Sequence, residues 1–262
     1  MRKQLFYFGL LCTFFILLSG MKPRSNGDFV KFDDGLYVAK FEVTNGEYKL
    51  FIDHLKNEYA MEELKYLLPD STLWTKKFDY SFNEPFEYMY HWHPAYDNYP
   101  LVNISKKAIE KYCDWLTEQY QTNPKRTFKK VIFRLPTDNE WMLFASPLPD
   151  HRLPWFGNFS YRVNEKDEII YLANLKYKNY ASDSYDYVQD KALVCASVGK
   201  YPKNRIGIFD IIGNVAELTS DNTIKGGSWD NTVKDCYIDQ NQRYDLPDPR
   251  VGFRLVMEVV EK

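Results

Sequence analysis

Gly226-Gly227-Ser228-Trp229-Asp230-Asn231, then Cys236, then Arg250-Val251-Gly252-Phe253-Arg254 is the stretch on which the reading of this chain turns. The paired glycines mark a tight turn, and Ser228 closes it. No His or Lys general base is evident around Ser228, so it reads as a turn serine rather than a nucleophile. Asn231 stands five residues before Cys236.

Working outward, the chain has 262 residues, four cysteines and a formal net charge of −2. That length buries a core of its own without staples and suits one large domain. Acids and bases are intermixed, which gives no basic face for nucleic acid and no polybasic anchor. Aromatic residues are abundant, with 21 Tyr, 18 Phe and 6 Trp. They read first as packing residues and second as a surface for stacking on sugars or peptides.

The N-terminus forms a separate unit. Arg2 and Lys3 precede an apolar run from Leu5 to Leu18, and Ser19-Gly20 offers a small-residue site. The run falls short of the ~20 residues of a bilayer span and reads as a secretory signal peptide over residues 1–20, with an uncleaved anchor as the alternative. Residues 21–28 read as a polar linker and 29–262 as one domain. Cys12 lies inside the apolar run, so no lipid-anchor cysteine follows it. Export leaves Cys113, Cys195 and Cys236, an odd number. Cys113 falls on the apolar side of a helix and reads as an inert thiol; Cys195 and Cys236 are candidates for pairing.

Leu36 to Val43 has strand character, and Thr44-Asn45-Gly46-Glu47 spells a capping box before Tyr48, Phe51, Ile52 and Leu55 at helical spacing. A second helix starts near Ser105, with Ala108, Ile109, Tyr112, Cys113 and Leu116 on one face. Val131-Ile132-Phe133 is a short strand. Thr137-Asp138-Asn139-Glu140 opens a third helix through Trp141 and Phe144 to Ala145, and Pro147 ends it. Residues 146–222 show little periodicity, and so much irregular backbone calls for bound cations or equivalent partners.

Six segments in sequence order resemble the formylglycine-generating enzyme, or sulfatase-modifying factor, family. They are Tyr37 to Tyr48; Tyr99-Pro100-Leu101-Val102-Asn103-Ile104-Ser105 with Tyr112-Cys113 and Trp115; Phe133-Arg134-Leu135-Pro136-Thr137-Asp138-Asn139-Glu140-Trp141; Pro154-Trp155-Phe156-Gly157; Gly207 to Leu218 around Gly213-Asn214-Val215; and the opening stretch. The resemblance implies an α+β fold, the family's variant of the C-type lectin architecture with much irregular structure. It also implies an active site in which two cysteines hold Cu(I). The second matches Cys236 and the first is Asn231, so copper is not expected. Ser228 matches the family's active-site serine; Cys236 and Ser228 are the catalytic candidates only if the chain is active.

By the same resemblance, calcium is the expected cofactor. One set of ligands would be the Asp210 and Glu217 carboxylates with the Gly213 and Val215 carbonyls; another would be Asn174, Leu175, Asp190 and Ala192. Carboxylates and carbonyls suit this hard cation. His91 and His93 sit on one side of an extended segment, but no third ligand completes a zinc set, and they read as packing or surface residues.

The leading expectation is an exported structural or binding component of the bacterial cell envelope, periplasmic or envelope-associated, and without copper oxidase activity. Its partner would be an envelope protein, a peptide or a glycan, with the membrane touched only through an uncleaved N-terminal segment. Residues 93–100 also resemble the lipoproteins of gliding and secretion machinery that carry this domain. The alternatives are a divergent oxidase acting on a sulfatase cysteine and a glycan-binding lectin-like module.

Overall fold

The computed structural model describes residues 24–78, 84–146, 152–155, 159–179 and 182–262. The signal peptide or anchor expected over 1–20, Pro147 and the Phe156-Gly157 half of one motif lie outside them. In chain order the elements are β1 (Phe29–Asp33), β2 (Leu36–Ala39), α1 (Asn45–Leu55), α2 (Met61–Leu64), α3 (Leu73–Lys77), α4 (Glu84–Met89), α5 (Lys106–Thr122), β3 (Lys130–Arg134) and α6 (Asp138–Ala145). Then come β4 (Tyr161–Val163), β5 (Ile169–Tyr171), β6 (Tyr177–Asn179), β7 (Ser184–Asp186), β8 (Ala216–Leu218), β9 (Thr223–Lys225), β10 (Gln242–Arg243), β11 (Val251–Gly252) and β12 (Val256–Glu261). The fold is mixed α+β.

An antiparallel sheet in the order β1-β2-β12-β3 joins the two ends of the described chain. Its central strands are buried on both faces at Val38-Ala39 and Val256-Met257, while β3 alternates buried with exposed residues, and the period of two sorts the side chains. Val38 and Val256, paired across β2 and β12, point to a core with Trp141 and Phe144 of α6. Ala39, Val131, Phe133 and Met257 point to the other core, with Tyr48 and Phe51 of α1 and Ile109, Tyr112 and Trp115 of α5. A third cluster gathers Trp74, Tyr90, Val102, Cys195 and Trp229. Many of the rings thus pack inside, as the first reading of the composition held.

Local sequence sets the helix starts. Thr44 and Glu47 form a reciprocal box: the Glu47 amide donates to Thr44 Oγ1 at 3.3 Å and the Thr44 amide to Glu47 Oε2 at 2.9 Å. Thr137 and Glu140 repeat it at 3.2 and 2.8 Å, and Ser105 caps α5. Such boxes satisfy amides that the first turn leaves unpaired.

Two expectations differ from the structure. The strand read to Val43 ends at Ala39, because Arg254 takes the Ala39 carbonyl and Val43 pairs singly with Phe253. Residues 24–28, read as linker, are held against the domain: the buried Arg24 guanidinium donates to Glu47, to Phe41 O at 3.1 Å and to Glu42 O at 2.7 Å.

Between α6 and β8 the only regular elements among the described residues are the ribbons β4-β5 and β6-β7. Buried side chains serve the remaining backbone. Asn204 Oδ1 accepts from Ile206 and Ile208 while its amide donates to Phe144 O and Ala145 O. Asn214 Oδ1 accepts from Ala196 at 2.8 Å. A second sheet, β10-β9-β8-β11, with β8 and β11 parallel, carries the site described next.

Candidate functional site

Strand β9 is followed by Gly226 and Gly227, whose φ values of 79° and 64° demand glycine and swing the chain into the Ser228–Asn231 turn. Asn231 Oδ1 accepts from the Ser228 amide at 3.0 Å and from Ser228 Oγ at 2.8 Å, and Ser228 Oγ accepts from the Asp230 amide at 3.2 Å. Both polar groups are spent on holding the turn. Ser228 and Asn231 line a cleft of about 280 Å³ with Lys77, Tyr244, Asp248 and Arg250.

Cys236 does not reach this cleft. It is fully buried among Trp141, Phe144 and Ile238, and a Cβ at Gly227 would collide with its sulfur. Burial pushes its thiol well up, away from the thiolate that metal binding and nucleophilic attack require. Cys195 sits in the separate cluster of Tyr90 and Trp229, with its thiol also pushed up by burial, to about 12. Cys113, Cys195 and Cys236 are all free and buried. One buried thiol beside an engaged carboxamide does not fit Cu(I).

The cleft rim is an ion-pair chain that sequence reading missed. Arg250 forks onto Asp248 at 2.8 and 2.9 Å and reaches Asp230 at 3.1 Å. Lys176 meets Asp230 at 2.6 Å, and Lys77 lies 3.7 Å from Asp248. Burial alone would raise the Asp248 carboxyl, but the Arg250 fork holds it below the usual carboxylate range. The only local signal was Asp248-Pro249-Arg250; nothing near it in sequence announces Lys77 or Lys176.

The first calcium set is brought together around a different cation. Arg254, wholly buried, donates to Glu217 Oε1 at 2.9 and 2.6 Å and to Oε2 at 3.1 Å, and Trp141 Nε1 donates to Oε2 at 2.8 Å. Asp210 accepts from the Gly199 and Tyr201 amides. Glu42, also buried, accepts from Asn214 Nδ2 at 2.9 Å, while its other oxygen is 3.7 Å from Arg254 without a hydrogen bond. Burial and then the Asp210 charge push the Glu42 carboxyl well up. Three acids thus face one base, and Glu217 has no oxygen free of a donor. Gly213 and Val215 lie buried on the segment entering β8.

The second set also converges. Asp190 accepts from Leu175 at 2.9 Å and from Ala192 at 3.0 Å, and the Asn174 amide donates to Val194 O and Asn214 Oδ1. Asp190 is buried and, among the described residues, has no Lys or Arg within 4.0 Å; burial raises it to about 6, against the backbone amides and the more distant Lys200 charge. Among the described residues no three His, Cys, Asp or Glu side chains gather as a metal group; the second set relies on carbonyls. His91 is buried between Asn45 and Asn103, at 3.3 and 3.4 Å, while His93 caps the Ala95 amide at the surface.

Comparison with known proteins gives a family match over residues 21–259 to the sulfatase-modifying factor enzyme 1-like domain. The chain is 27% identical over 125 residues to the formylglycine-generating enzyme of Mus musculus, which spans 47% of this chain and 27% of that protein. The match therefore covers about a quarter of that relative. Among solved structures, PvdO from Pseudomonas aeruginosa has a TM-score of 0.54 at 15% identity over 85% of this chain and 80% of that one. CarF has a TM-score of 0.54 at 16% identity over 86% of each chain. Treponema denticola variable protein 1 has 0.51 at 17% identity over 85% and 84%. At these identities the likeness shows the fold.

Proposed function

This chain belongs to the sulfatase-modifying factor enzyme 1-like domain family, and from that premise we propose that it acts by binding, without oxidase chemistry, as an exported component of a bacterial cell envelope. The observation that supports this reading most is Asn231: its carboxamide stands where the resemblance puts the first copper thiolate, and it locks the Ser228 turn with two hydrogen bonds. The polar, mixed-charge cleft above it suits a peptide segment of an envelope partner, whose charged and amide groups could exchange with the Asp248–Arg250 fork.

The test is conversion of a Cys-x-Pro-x-Arg peptide by the protein with Cu(I) and oxygen, read by mass spectrometry. We expect no aldehyde product and no stoichiometric Cu(I) uptake from the natural sequence. Turnover would sink the binding-only reading and favour the divergent oxidase.

Calcium is proposed for the set Asn174, Leu175, Asp190 and Ala192. A buried carboxylate held only by amides leaves negative charge that a hard cation would neutralise. At the other set Arg254 engages both Glu217 oxygens and offsets one of the three buried acid charges. Chelation should lower the melting temperature of the natural protein and leave an Asp190→Asn variant unmoved. At a hundredfold excess of calcium over Kd the effect is about 2.7 kcal/mol. Equal response of the two proteins to chelator would remove calcium from this set.

A further inference from the structure

Sharing no lining residue with the cleft, α1, α2 and α5 frame a groove of about 1080 Å³, nearly four times the volume of that cleft. Its floor is apolar, with Leu55, Leu64, Trp115 and Ile132, and Tyr59 and Tyr66 stand half-exposed beside it. Its size exceeds the usual range of small-molecule pockets, roughly 300–1,000 Å³. The rim is acidic, with Glu58, Glu62, Glu63, Asp114 and Glu118 against Lys111 in the lining, and Lys107 Nζ lies 5.2 Å from the centre of the Tyr66 ring. Lys65 and Lys111 offset Glu62 and Asp114. Glu58 has only His54, at 3.8 Å, and Glu63 and Glu118 have no Lys or Arg within 4.0 Å among the described residues. Trp115 is nine-tenths buried, yet its indole Nε1 finds no acceptor among them.

We propose that this groove docks a Lys- or Arg-flanked amphipathic helix of a partner protein. An apolar stripe on a helix fits a floor lined by α1, α2 and α5, and flanking cations would meet the rim carboxylates. An anionic glycan or lipid headgroup would be repelled by the same rim, and a neutral sugar stacked on Trp115, Tyr59 or Tyr66 would leave the rim carboxylates without a cation. The cleft plays no part, so this proposal stands or falls apart from the proposed function.

The probe is a synthetic peptide of about 15 residues, long enough to hold a helix, with Leu at i, i+3, i+4 and i+7 and Lys elsewhere. A Glu-flanked version and an N-acetylglucosamine oligosaccharide serve as comparisons. Titration calorimetry should show binding of the Lys peptide alone, weakening as salt screens the rim. The Glu58→Lys/Glu118→Lys variant, altered only at exposed positions, should bind at least about tenfold more weakly with an unchanged melting temperature. Failure of the Lys peptide to bind, or binding that ignores the charge reversal, overturns the proposal. Preferential binding of the oligosaccharide would assign the groove to a glycan. A dimer of the natural chain that the charge reversal dissociates would assign it to a second copy.

Discussion

Replacing Arg254 with Met is expected to cost more than any surface change, because Arg254 is wholly buried and paired with Glu217. Its guanidinium makes five hydrogen bonds, three to Glu217 and one each to Ala39 O and Phe209 O, with no exposure to water. Met fills much of the same volume, so cavity formation contributes little. What remains is an uncompensated Glu217 carboxylate in a dry site, which by comparison with other broken buried pairs costs about 3–5 kcal/mol. For a chain of this size that lowers the melting temperature by roughly 10 °C. Urea unfolding followed by circular dichroism measures it. Adding Glu217→Gln removes the stranded charge while keeping an acceptor for Trp141, so the double variant should regain at least about 1 kcal/mol. A loss below about 1 kcal/mol for Arg254→Met, or no recovery in the double variant, would refute the reasoning and point to a bound cation as Glu217's working partner.

Three further outcomes are expected. Burial pushes the His91 imidazole down to about 3. Below the ordinary value near 6.5 the unfolded chain therefore takes up a proton that the folded chain refuses. Stability from this group is complete above pH 6.5 and is lost as pH falls toward 3, about 2 kcal/mol by pH 5. The difference in melting temperature between the natural protein and His91→Gln, followed from pH 7 to 5, isolates the effect, and parallel curves would contradict it. Cys236, buried with its thiol pushed up, should resist iodoacetamide in the native protein and react fully in denaturant; rapid native labelling at Cys236 by peptide mapping would place the thiol in reach of ligands after all. Gly213 has φ 75°, and a Cβ there would collide with the Asn174 carbonyl. Gly213→Ala should cost about 2 kcal/mol or more, through backbone strain and forced separation of the two segments, and a neutral result in thermal unfolding would argue against the Asn174–Gly213 bridge.

Sequence alone determined what depends on neighbours within a few residues. The capping boxes at Thr44 and Thr137 each close within four residues, so their helices start where the residue types say. The alternation along Val38-Ala39 and Val256-Met257 could divide two cores because strand geometry fixes which side each residue takes. The motif order sufficed for the family and hence the mixed fold. The substitution of Asn231 for a thiol was visible as a residue type, but its use in holding Ser228 was not.

Tertiary structure decided which groups met. Arg254 joins Glu217 across 37 residues and Ala39 across 215, so the carboxylate assigned to calcium faces a guanidinium. Lys77, Asp248 and Lys176 arrive at one rim from three parts of the chain. Arg24 turns an apparent linker into a docked segment by burying one charge against Glu47. The physical reason is the same in each case. A buried charge must find its partner wherever packing brings one, and that choice is made by the whole core, whereas a cap or a strand period is settled by the chain's own covalent geometry.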